Sequence, residues 1–340
     1  MMEIQAAIKS VMARRDLSVD EMGEVMQQIM TGECTPSQIG GFLVGLRMKG
    51  ETVDELAAAA RVMRELSTRV VVDCDYLVDT AGTGGDSSGS FNISTASAIV
   101  AAAAGAHVAK HGNRSMTSNS GSADVLEAAG VKLDVDPAQI AECIEQVGVG
   151  FMFAPAHHGA MKHAIAPRRE MAVRTVFNVL GPLTNPAGAP NQIIGVFDGD
   201  LVELLAHVLQ QLGSRHVMVV HADDGMDEIS ISAPTRVAEL KDGEVNCYTL
   251  SPADFGMEMA DIATLKVDSA EQSLALIRTV LADQAGPARD IVCLNAGAAI
   301  YVSGCAETLA AGVEAARAAI KSGKAARVLE NLVVRTNAGD

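Results

Sequence analysis

The chain has 340 residues, 49 % of them apolar and 20 % charged, enough to bury a large core in two domains or one big one. A formal net charge of −16 repels nucleic acid and anionic membrane surfaces, and a 3 % aromatic content without tryptophan removes the stacking platforms of single-strand binders. The six cysteines are scattered with no C-x-x-C pair, which fits reduced, mostly buried thiols in a cytoplasmic protein. No apolar run is long enough to span a bilayer.

Residues 1–69 read as helices only. Apolar residues recur at helical spacing at Ile4, Ile8, Val11 and Met12, then at Met22, Val25, Met26 and Ile29. Charges of both signs mixed into the first segment argue against a signal peptide. Thr35 caps a third helix that begins at Pro36, and Thr52 with Glu55 opens a fourth in a capping-box pattern, running to Leu66. The stripe Met22, Met26 and Met30 reads as core packing. From residue 70 the texture changes. Short β-branched runs at Tyr76–Asp79, Val108–Lys110, Val149–Phe153, Ile193–Phe197 and Val217–His221 alternate with helical segments. The expectation is an α/β domain over 70–340 around a mixed, mainly parallel sheet, closed by helices at 270–283, 289–302 and 306–333.

Two clusters carry chemistry. In Asp79-Thr80-Ala81-Gly82-Thr83-Gly84-Gly85-Asp86 a strand runs into a glycine loop, and Ser90-Phe91-Asn92-Ile93-Ser94-Thr95 leads into a helix expected to start near Ser94 or Thr95 and stop at Gly105. Glycines let N–H groups turn toward a ligand and the helix N-terminus adds partial positive charge, so an acidic protein gains a local anion site. Counted from Gly82, the sixth position of G-x-G-x-x-G is Ser87, and no G-K-[ST] follows, so neither a dinucleotide fingerprint nor a P-loop is present. Asp86 repels a phosphate unless it takes a sugar hydroxyl or a metal-bound water. The second cluster, Lys110-His111-Gly112-Asn113-Arg114, follows a strand, at the end where open α/β sheets bind ligands. Ser115 to Ser122 adds hydroxyls up to another helix start at Ser122. Together they point to a phosphorylated small molecule.

These motifs resemble the anthranilate phosphoribosyltransferase family. The likeness continues through Ala156 to Lys162, Arg174 to Pro186, Gly225 to Ser230 and Leu294 to Ala298, nearly the whole chain. It implies transfer of a phosphoribosyl group from phosphoribosyl pyrophosphate (PRPP) to the amine of anthranilate, with Mg2+, in a homodimer joined through the helical domain. It also implies that 168–187 packs back on that domain. Family donor-binding positions fall on Gly82, Gly85, Asp86, Ser90, Asn92, Ile93, Ser94, Thr95, Lys110, His111, Gly112, Asn113, Arg114, Ser115, Met116, Thr117, Ser118 and Ser122. Acceptor positions fall on Gly82, Asn113 and Arg168, metal ligands on Ser94, Asp227 and Glu228, and the catalytic set on Lys110, His111 and Asn113. Arg174 is a competitor of Arg168 for the acceptor or, more in keeping with its place, a structural residue of the same helix; His158 reads as a wall of the acceptor tunnel, and His107, His207 and His216 as core or loop histidines. No strong general base is evident, and an aromatic amine, largely neutral at pH 7, does not require one.

Overall fold

The computed structural model describes residues 2–86, 88–115 and 120–338. Four helices come first: α1 (Ile4–Met12), α2 (Val19–Thr31), α3 (Pro36–Lys49) and α4 (Val53–Glu65). Ser18, Thr35 and Thr52 each accept from the N3 amide while Glu21, Gln38 and Glu55 reach back to the cap N–H, so reciprocal bonds fix these helix starts. Met22, Met26 and Met30 are buried as expected, whereas Met12 is 73 % exposed.

The second region runs β1 (Leu77–Gly82), α5 (Ile93–Ala103), β2 (His107–Gly112), α6 (Ser122–Ala128), α7 (Pro137–Glu142), β3 (Val149–Phe153), α8 (Ala154–His157), α9 (Lys162–Met171), α10 (Phe177–Leu180), β4 (Asn191–Gly195), α11 (Leu201–Gln211) and β5 (His216–Ala222). It closes with β6 (Thr235–Lys241), β7 (Glu244–Leu250), α12 (Ala270–Leu281), α13 (Pro287–Ser303), α14 (Leu309–Lys321) and α15 (Lys324–Asn337). The sheet order is β3-β2-β1-β4-β5-β6-β7, parallel through β5 and antiparallel beyond it.

Three details differ from the sequence reading. The β6–β7 hairpin was not anticipated; Asp242 and Gly243 turn it with φ +52° and +82°, the left-handed pair such a turn requires. The segment 306–333 is two helices, broken at Gly323 with φ +71°. The cysteines are all free, yet only Cys143 and Cys293 are buried and Cys247 is exposed on the edge strand β7.

One sheet face packs with α5, α13, α14 and α15. The other shares a core with the helical bundle: Ile194, Val196, Val217 and Val219 join Met22, Phe42 and Leu56 through Phe177, Leu180 and Leu205. Among the described residues no helix is long and apolar enough to cross a membrane.

Candidate active site

β1 and β4 end side by side, Gly82 paired with Gly195. The turn after β5 folds over both ends. A Cβ on Gly195 would lie 1.5 Å from the Asp227 carbonyl oxygen, and one on Gly82 3.0 Å from Asp227 Oδ2, so two bare strand ends seat the turn. Asp227 Oδ2 accepts the Gly84 N–H at 2.9 Å. Burial and then the Asp86 charge push the Asp227 carboxyl up to about 7. Burial and then Asp227 hold Glu228 well above the usual carboxylate range, against the pull of Lys110. Repelling carboxyls beside one lysine leave the site short of positive charge. Among the described residues no three of His, Cys, Asp and Glu form a complete chelate.

The helix α5 begins at Ile93, beside the expected Ser94 or Thr95, with Asn92 as its cap. Asn92 Oδ1 accepts from Thr95 N–H (2.9 Å) and Ser94 Oγ (3.2 Å), while Nδ2 donates to the Ser120 carbonyl (2.7 Å) and so ties the two clusters together. The loop amides can then be accounted for one by one. Thr83 donates to Gly195 O, Gly84 to Asp227, Ser94 to Glu228 and Thr95 to Asn92. Among the described residues this leaves the Gly85 and Asp86 amides, with those of Gly89 and Ile93, unclaimed. Behind the loop, Thr80, Ser94, Ser97, Glu228 and Asn295 line a small cleft.

Lys110, 2 % exposed on β2, donates from Nζ to Thr80 O (2.6 Å) and Ser94 Oγ (3.1 Å). Burial lowers it to about 8, opposed by Asp79 and Glu228. Asp79 is raised to about 6 by burial, and its Oδ1 accepts the His111 N–H at 3.1 Å. Burial also takes His111 down to about 3 and His158 to about 4. Their rings lie 5.1 Å apart, and both Nε2 atoms are buried without a partner among the described residues. Burial thus keeps both imidazoles neutral at pH 7.

Residues 5–67 match the helical bundle domain of a glycosyl transferase family, and residues 75–326 its a/b domain. The chain is 69 % identical over 332 residues to anthranilate phosphoribosyltransferase of Thioalkalivibrio sulfidiphilus and 61 % identical over 332 residues to that of Alkalilimnicola ehrlichii, with 98 % of each chain covered in both cases. The chain belongs to the anthranilate phosphoribosyltransferase family. Its fold superposes with a TM-score of 0.93 on the anthranilate phosphoribosyltransferase of Thermus thermophilus, at 43 % identity over 98 % of this chain and 99 % of that one. For the Saccharomyces cerevisiae enzyme in complex with PRPP and Mg the TM-score is 0.89, at 26 % identity over 98 % and 97 %.

The remaining positions that match this phosphoribosyltransferase family are distributed as follows. Ser90 bonds Ser88, Ile93 opens α5 and Ser122 opens α6 against Gly112. Asn113 Oδ1 accepts the Arg114 N–H at 2.7 Å. The Arg114 guanidinium is turned to α6, bonded to Glu127 (2.7 Å) and Asp124 (3.0 Å), and Ser115 N–H also goes to Asp124. Met116, Thr117 and Ser118 lie outside the described residues. Arg168, on α9, sits 5.2 Å from the Phe177 ring with no carboxylate partner among the described residues. Arg174 requires a correction. It lies beyond the end of α9, stacks 3.8 Å over the Phe197 ring and donates from Nη2 to the Gly85 carbonyl at 2.7 Å. The segment after α9 is thus tied to the glycine loop, through a contact between residues 89 positions apart that no local pattern announces.

Proposed function

We propose that the chain transfers the 5-phosphoribosyl group of PRPP to the amine of anthranilate, giving N-(5-phosphoribosyl)anthranilate and pyrophosphate, the second step of tryptophan biosynthesis from chorismate. The carrying observation is the Asp227–Glu228 pair facing Lys110 and the glycine loop at the carboxyl end of β1. Raised carboxyls with too little compensating charge fit a divalent cation, and Ser94, Asp227 and Glu228 supply the hard oxygen donors for it. Bound there, Mg2+ would stabilise the negative charge of the departing diphosphate.

The chain's own groups do the rest. Lys110 adds a buried positive charge next to Ser94, and the free Gly85 and Asp86 amides offer donors to phosphate oxygens. Arg168, not neutralised by any described carboxylate, meets the carboxylate of anthranilate. His111 and His158, held neutral, form an uncharged wall that takes no proton from the amine. Asn113 and Gly82 are assigned to the acceptor by their match to the family's motif.

A helical unit of 1–69 with 168–187, set against 70–340, places the two substrates across a closing cleft; the shared core of Phe177, Leu180 and Leu183 with the bundle supports that division. The exposed apolar side chains Met12, Val44 and Met48 on the bundle support a homodimer through that surface, and the reaction belongs in the cytoplasm. The test is direct: mix the protein with anthranilate, PRPP and Mg2+ and follow anthranilate fluorescence. A steady signal, unaffected by EDTA, overturns the reading. Arg168→Ala is expected to raise KM for anthranilate and leave KM for PRPP unchanged.

A further inference from the structure

The turn that carries Asp227 and Glu228 is gripped from outside by one side chain. Asn295, in the middle of α13 and 2 % exposed, faces the backbone of Ile229. Its Oδ1 accepts the Ile229 N–H at 2.9 Å, and its Nδ2 donates to the Ile229 carbonyl at 2.9 Å and to the Ile291 carbonyl at 2.9 Å. A carboxamide carries a donor and an acceptor side by side, so it can fix the position and orientation of a backbone residue together. Asn295 also lines the cleft shared by Ser94 and Glu228.

The bonds of Asp224 shape the turn without locating it, while the Gly84 and Ser94 amides hold its two carboxylates directly. Asp224 accepts from Met226 N–H at 3.2 Å, from Ser230 Oγ at 2.6 Å and from Ser232 Oγ, all within the same segment. The helix α13, by contrast, is anchored in the core. It packs on α5, whose first turn bears Ser94, and on α14 so closely that a Cβ at Gly312 would lie 2.3 Å from Gly297 O. Asn295 therefore holds Ile229, next to Glu228, against a helix packed on α5, and adds to the direct bond from Ser94 N–H to Glu228.

We infer that Asn295 is a positioning residue for the metal-binding edge of the site, holding Glu228 in register with Ser94 without touching substrate. Its role rests on the metal-binding reading of Asp227 and Glu228. Magnesium demands near-ideal octahedral geometry, and partners that orient its ligands typically change affinity or activity about 10–100-fold when lost.

The experiment titrates Mn2+, visible by electron paramagnetic resonance, into the full chain with inorganic pyrophosphate present. The Mg2+ half-saturation of turnover and Tm are measured alongside. Asn295→Ala removes the clamp; Asn295→Gln keeps the hydrogen-bonding groups, and with them the fold, but moves the turn by a methylene. Asn191→Ala is the control for stability alone, since Asn191 is another buried amide, bonded to Leu77 O at 2.9 Å from the opposite end of β4. Both Asn295 variants are expected to weaken Mn2+ about 10–100-fold and to raise the Mg2+ half-saturation, with KM for anthranilate unchanged. Asn191→Ala should lose Tm and keep its Mn2+ affinity. Wild-type Mn2+ affinity in whichever Asn295 variant folds, or an equal weakening in Asn191→Ala, overturns the role. Asp227→Asn with Glu228→Gln separates the two readings. If that pair weakens Mn2+ and the Asn295 variants do not, the positioning role alone falls. If the pair leaves Mn2+ affinity intact, the metal assignment falls and takes the positioning role with it.

Discussion

Two clusters of partly or wholly buried charge sit at different places on the same sheet, and they behave in opposite ways. At the β5–β6–β7 edge, Glu239 pairs with His216 Nε2 at 2.8 Å and accepts from Tyr248 OH at 2.8 Å, while Lys241 donates to Tyr301 OH at 3.0 Å. Burial alone would raise Glu239; hydrogen bonds from His216, Tyr248 and Tyr301 outweigh it and bring the carboxyl down to about 2. At the carboxyl end of β1, burial wins instead, with Asp79 at about 6, Asp227 at about 7 and Glu228 raised further. The residue types are alike. The difference is that the edge cluster is completed by its own neighbours, whereas the other is left short of positive charge, as a site awaiting a ligand is.

The largest expected effect tests that contrast at its centre. Asp227→Asn with Glu228→Gln should lower kcat about 10²–10³-fold, the scale of losing one preorganised electrostatic group, while Glu239→Gln leaves turnover unchanged. Equal turnover in the two would erase the distinction. The double variant should also melt higher than wild type without Mg2+ near neutral pH. Asp227 is raised from 3.8 to about 7, so the unfolded chain ionises first, and stability present below 3.8 is lost as pH rises through about 7. Calorimetry in EDTA reads the sign.

Next in size is a pH effect on the metal. Protons compete for raised carboxyls, so the Mg2+ concentration needed for half-maximal turnover should climb as pH falls through about 7. A flat profile between about pH 6 and about pH 8 would contradict the raised value. Smaller again is Tyr248→Phe, which removes one bond to Glu239 and should cost about 1 kcal/mol with activity intact. Because Glu239 is lowered from 4.5 to about 2, its contribution is present above 4.5 and lost as pH falls through about 2, so denaturant melts of the two proteins should converge in acid. The smallest lies outside both clusters. Ala172 ends α9 with φ +52°, and Ala172→Gly should stabilise by less than about 1 kcal/mol, measured as a shift in the urea midpoint.

Legibility in the sequence tracked how local the physics is. The glycine loop, the Lys110–Arg114 run and the caps at Thr35 and Thr52 announce themselves because backbone conformation and capping are decided within a few residues. The start of α5 falls at Ile93, beside the expected Ser94 or Thr95, where the Thr95-to-Asn92 bond fixes it. The β6–β7 hairpin hid behind charged, half-exposed strands, although Asp242-Gly243 was a usable turn signal. Arg174 and Asn295 gave no local sign. Their partners, Gly85 and Ile229, are 89 and 66 positions away, and proximity of that kind is made by the sheet and its covering helices.

Gly195 carries a consequence for mutational scans. Any larger residue at the tip of β4 would collide with the peptide of Asp227, whose carbonyl oxygen lies 1.5 Å from where a Cβ would stand. A saturation library would therefore score this position as intolerantly as a reacting group, although glycine brings no side chain to the chemistry. What selection would be guarding there is clearance.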